Sequence, residues 1–194
     1  MRKLLLLFLV TASICFAQKK ELSSGRDYYS TVVSGGINLG HRWYNQIEYG
    51  DLPSHTTFGI NLEYNFRIHK QFYTGIGIES SDYNVYNNNY QIISLYVQPA
   101  FAYNVFKGAA TLFAGIKGEL INDGRFKGTG TGISPFVRCQ YNFFRNVCIG
   151  FQIGARKFFT DKITVKNIYG NFDVESKNGY SLENFLYIGW RFEK

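Results

Sequence analysis

Eight stretches of this chain exchange apolar for polar or small residues at every second position. A two-residue period belongs to a strand with one apolar and one polar face. The first runs from about Thr31 to Gly40, with Val33, Ile37 and Leu39 on one face. The second, Thr56 to Ile68, sets Phe58, Ile60, Leu62, Tyr64 and Phe66 against Gly59, Asn61, Glu63, Asn65 and Arg67. The third is Phe72 to Tyr83 and the fourth Tyr90 to Val105. The fifth is Ala110 to Ile121, the sixth Gly132 to Phe143 and the seventh Val147 to Phe158. The eighth, Asn184 to Phe192, points Leu186, Ile188, Trp190 and Phe192 one way and Phe185, Tyr187, Gly189 and Arg191 the other. Stretches of about 10 residues suit tilted strands that cross a membrane.

The beginning of the chain sets the compartment. Arg2 and Lys3 precede the apolar run Leu4 to Val10, and Ala17 ends a region of small or uncharged residues. This is the build of a secretory signal peptide over residues 1–17, too short to span a membrane as a helix. Lipidation at Cys15 is a competing reading, but Ile14 stands where a small residue is expected. No later segment is apolar and long enough for a transmembrane helix, which a strand-built membrane protein does not need. Loss of Arg2 and Lys3 lowers the formal charge of +7 by two. That excess is modest and gives no nucleic-acid signature. Cys139 and Cys148 remain; they differ by an odd number, so they should face opposite sides as free thiols. With a turn at Arg145-Asn146, Cys148 would fall opposite Phe143 and Cys139 opposite Gln152.

The connections sort by length. Those at residues 69–71, 106–109 and 144–146 are short. The others, at 41–55, 85–89, 122–131 and 160–183, are mostly longer and rich in Gly, Asn and Asp. Aromatic residues gather at segment ends: Phe66, Phe72, Tyr103, Tyr141, Phe143 and Phe192 near the short turns, and Trp43, Tyr44, Tyr83 and Phe159 near the long loops. Aromatic rings favour both membrane interfaces.

With its aromatic-rich closing strand, this pattern resembles the small eight-stranded outer-membrane β-barrels of OmpA and OmpX type. The resemblance covers residues 31–194, preceded by a short periplasmic segment at 18–30. It implies an all-β, antiparallel, up-and-down transmembrane barrel in the outer membrane of a Gram-negative bacterium. It also implies that Tyr187, Gly189, Trp190 and Phe192 form a closing-strand signal read by barrel-assembly machinery, although Glu193 and Lys194 follow Phe192. The expected surroundings are outer-membrane lipid and lipopolysaccharide, with the protein a monomer. A soluble lipocalin-like barrel is the rival, with the apolar rows turned inward.

In a membrane barrel the polar faces meet in the lumen. They carry Glu63, Arg67, Glu79, Lys117, Glu119, Arg138, Arg156 and Arg191. Eight strands leave room only for side chains, so these charges should pair into a polar plug. Five bases against three acids leave open the alternative of a narrow, weakly anion-favouring pore. Catalysis of the lipid-A-modifying kind would need a histidine beside a serine and a carboxylate. His41 and His55 fall in one predicted loop and His69 in a turn, so no catalytic residue and no cofactor is assigned. His41, His55 and Asp51 lack fixed geometry for a metal. The glycines around Arg125 and Lys127 precede a strand, not the helix that a phosphate loop requires. The connection 160–183 is the longest, and alternation resumes within it. This predicts a protruding hairpin turning near Gly170, with Tyr169 and Phe172 available to an extracellular protein partner.

Overall fold

The computed structural model describes residues 31–45, 54–69, 71–85, 88–106, 109–124, 129–143, 146–159, 163–167, 170–174 and 178–192. The leader (1–17), the segment 18–30 and Tyr169 lie outside the described residues. The strands are β1 (Thr31–Asn45), β2 (His55–His69), β3 (Phe72–Val85), β4 (Asn88–Val97), β5 (Ala100–Val105), β6 (Ala110–Asp123), β7 (Thr129–Asn142), β8 (Val147–Phe159), β9 (Ile163–Asn167), β10 (Gly170–Val174) and β11 (Asn178–Phe192).

Every pairing is antiparallel, and β1 pairs with both β2 and β11, so the sheet closes on itself. β4 and β5 are one stave. Val97 pairs with Gly118 and Ala100 with Gly115, so the register runs unbroken past Pro99. Proline has no N–H to give to the ladder, and that alone divides the stave. Counting β4 and β5 together, eight staves form the wall, the closed all-β barrel that the alternation predicts. Strands of 13 to 15 residues extend roughly 43–50 Å at about 3.3 Å per residue. Tilted by about 45°, they still cross an apolar layer of about 25–30 Å.

Burial alternates along each stave, and the apolar rows face outward. Phe58, Ile60, Leu62 and Tyr64 on β2 are exposed, while Thr57, Asn61, Glu63 and Asn65 between them are buried. Leu95, Val97, Phe101, Tyr103, Ile116, Leu120, Val137, Ile149, Phe151, Leu186, Ile188, Trp190 and Phe192 continue the outer belt. A lipocalin-like arrangement has the opposite sense, and this barrel excludes it. Such a continuous apolar wall is stable only against hydrocarbon.

Several local expectations change. β1 continues to Asn45 and β11 starts at Asn178, so parts of both predicted loops are strand. Beyond the hydrocarbon layer the outer face no longer has to be apolar. The hydrophobic period fades there while backbone pairing continues. Tyr83, expected in the outer aromatic girdle, is instead buried on the lumen side. Trp43 and Phe159 do face outward, as do Phe72, Tyr103, Phe143 and Phe192 at the other end. Cys139 is exposed and Cys148 buried, and neither is in a disulfide. Their partners are Phe151 and Asn142, one position from those expected. Directly paired residues share a face, so outward Cys139 could not oppose inward Gln152.

Candidate functional site

The lumen holds the densest chemistry. Arg42, Lys117, Arg138, Arg156 and Arg191 are buried there with Glu63, Glu79, Glu119, Asp123 and Glu183. All occupy inward positions on their strands. They sort into three storeys along the barrel.

Nearest the short turns, the Arg138 guanidinium on β7 donates to both Glu63 oxygens on β2, at 2.5 and 2.8 Å. Its Nε donates to Gln152 at 2.8 Å. Glu63 also accepts from Tyr96 Oη at 3.1 Å and from Asn65. The Tyr187 ring lies 5.0 Å from the Arg138 guanidinium carbon, and Phe136 and Phe113 lie somewhat farther away. In the middle storey Arg156 on β8 meets Glu79 and Glu119 at 2.8 Å and Glu183 at 2.6 Å. Lys117 lies 3.1 Å from Glu183, 3.4 Å from Glu119 and 3.6 Å from Glu79. At the long-loop end Arg42 on β1 pairs with Asp123 on β6 at 2.6 Å. Asp123 also accepts from Tyr83, and Phe158 lies 4.7 Å beneath the Arg42 guanidinium.

Each storey ties opposite walls. From β2 to β7, from β3 to β8 and from β1 to β6, three staves intervene whichever way one counts around the closed sheet. Arg138–Glu63, Arg156–Glu79 and Arg42–Asp123 therefore cross the lumen along its diameter. Charges this buried are tolerated only when paired and hydrogen-bonded.

The structure thus joins Glu63, Glu79, Lys117, Glu119, Arg138 and Arg156 in ion pairs that span the lumen. Arg191 is buried at the short-turn end. Arg67 does not belong to the set: it is exposed at the end of β2, where the β2–β3 register shifts between Arg67 and His69. Arg42, Asp123 and Glu183 complete the network, although the alternating stretches stop short of them. Among the described residues the buried bases and acids number five each, so the positive excess expected from the alternation is not found among them. Tyr187 and Gly189 of the closing strand face the lumen, whereas Trp190 and Phe192 face outward. Gly170 pairs with Asn167, and Phe172 with Val165, in the separate β9–β10 ribbon.

The histidines do not converge. His41 lies on β1 facing outward and His55 opens β2 facing inward, stacked 4.2 Å from the Tyr83 ring. Both were expected in one loop. His69 is exposed at the end of β2. No group of three His, Cys, Asp or Glu side chains among the described residues could hold a metal.

No protein-family model and no curated protein matches the chain. Solved structures do. Neisserial surface protein A is 14% identical, with 84% of this chain and 97% of that one covered and a TM-score of 0.57. The outer membrane protein OprG from Pseudomonas aeruginosa is 8% identical, over 88% and 99% of the two chains, at 0.55. The outer membrane protein AlkL, solved in lipid bilayers, is 9% identical, over 89% and 94%, at 0.55. At these identities the likeness is one of fold. Taken with the outward apolar belt, it makes this chain a small eight-stranded β-barrel of the outer membrane.

Proposed function

We propose that the protein is a non-enzymatic, plugged barrel whose role is structural or one of surface interaction, exercised through its long-loop end. The observation that carries this reading is the set of ion pairs crossing the lumen on three successive storeys. A conducting path would have to displace Arg42–Asp123, the Arg156 and Lys117 cluster and Arg138–Glu63 in turn. Each of these side chains would otherwise be left charged and poorly solvated. The balance of buried bases and acids also removes the reason for an anion-favouring pore. The separated histidines offer no shared centre for acid–base chemistry with a serine and a carboxylate. What remains available for recognition is the rim, where β1 and β11 project beyond the apolar belt and the β9–β10 ribbon stands between β8 and β11 in the chain.

Planar-bilayer recording tests the plug. Purified barrel should show little or no stable conductance at any salt concentration. Steady conductance proportional to salt, with ion selectivity shifted by Arg138→Gln, would establish the pore instead.

A further inference from the structure

The outer wall carries a cation where the apolar belt meets the long-loop rim. On the adjacent staves β1, β11 and β8, Trp43 pairs with Tyr180 and Tyr180 with Lys157. All three are outward positions, each third from the long-loop end of its strand. The Trp43 and Tyr180 rings stack at 6.4 Å. Lys157 Nζ lies 5.2 Å from the Phe159 ring and 5.9 Å from that of Tyr180. Leu182, two residues farther along β11 from Tyr180, and Ile133, beside Lys157 on β7, are exposed.

Lys117, Arg138 and Arg156 inside the barrel each face a carboxylate. No carboxylate among the described residues pairs with Lys157. Asp82, an exposed acid of the outer wall, lies on β3, on the opposite side of the barrel from β8. An ammonium at the top of a hydrocarbon-facing wall, steadied by two aromatic faces, is suited to an anion that the membrane itself supplies at that depth.

We propose that Trp43, Tyr180, Lys157 and Phe159 form a binding site for the phosphorylated headgroup of an outer-leaflet lipid. Lys157 pairs with the phosphate. The stacked Trp43–Tyr180 face lies against the sugar or glycerol carbons of the headgroup, and Leu182 and Ile133 receive the first methylenes of the acyl chains. The site is independent of whether the lumen conducts.

The chain has two tryptophans, so Trp190→Phe leaves Trp43 as the sole tryptophan reporter. That protein, folded in zwitterionic micelles, is titrated separately with lipid A, dephosphorylated lipid A, phosphatidylglycerol and inorganic phosphate. A saturable change in Trp43 emission is expected with the phosphorylated lipids and not with the other two probes. Lys157→Gln should weaken it about fivefold, the weight of one lysine at an anionic surface, and Lys157→Arg should retain it. The heat-dependent gel shift of each variant confirms a folded barrel, and native mass spectrometry of co-purified lipid gives a second reading. Equal titration by dephosphorylated lipid A, equal titration of Lys157→Gln, or saturation by inorganic phosphate alone would overturn the proposal. Lys157 would then be only an anchor reaching for water.

Discussion

A single lumen residue here is constrained by charge and by volume at once. Arg138 touches Glu63, Gln152 and three aromatic rings. Arg138→Met should cost about 3–5 kcal/mol, because Glu63 stays buried without its partner. Adding Glu63→Gln should recover much of that loss, since no bare charge then remains. Urea unfolding of the two variants in micelles measures both numbers. Volume is tested at glycine. A Cβ on Gly150 would fall among the ring atoms of Tyr187. That ring is held by its hydroxyl donating to Gln140 at 3.1 Å. Gly150→Val should cost at least about 1–3 kcal/mol. A Cβ on outward Gly118 meets nothing within 4 Å, so Gly118→Ala should leave the same unfolding curve in place.

At the scale of elements, the staves and the ribbon differ in what supports them. β11 is paired along its length with β1 on one side and β8 on the other. The β9–β10 ribbon has five residue pairs, Gly170↔Asn167 to Val174↔Ile163, and forms a sheet separate from the barrel. A two-stranded ribbon of that length is marginal by itself. Both its outer edges are open among the described residues, which suits strand addition by a partner. Deleting residues 162–177 should leave barrel assembly unchanged and abolish cell-surface or partner binding. Unchanged binding by the deleted protein would leave the ribbon no part in recognition.

For the whole molecule, closure is the property that matters. A closed sheet has no edge to fray, and the ion pairs brace its walls from within. Folded protein should therefore resist detergent until heated. Unboiled and boiled samples should migrate as separate bands on denaturing gels, with β-type circular dichroism only in detergent or lipid. Mature protein that is monodisperse without detergent would contradict the membrane placement.

The number of staves, their facing and the membrane-crossing architecture were legible from alternation, because a period of two fixes which residues share a face. Glu63, Lys117, Glu119 and Arg138 could be assigned to the lumen for that reason alone. Where the alternation lost its apolar half, as at His41-Arg42-Trp43 and near Glu183, the strands continued unseen, and Arg42, Asp123 and Glu183 were missed. Arg67 obeyed the same period but lies at an irregular strand end, which period cannot reveal. Which charges meet was decided only in three dimensions. Arg138 and Glu63 are 75 residues apart and touch because the closed barrel sets β7 across from β2. Local periodicity carries the direction of a side chain, but the distance across a lumen exists only after the last strand has paired with the first.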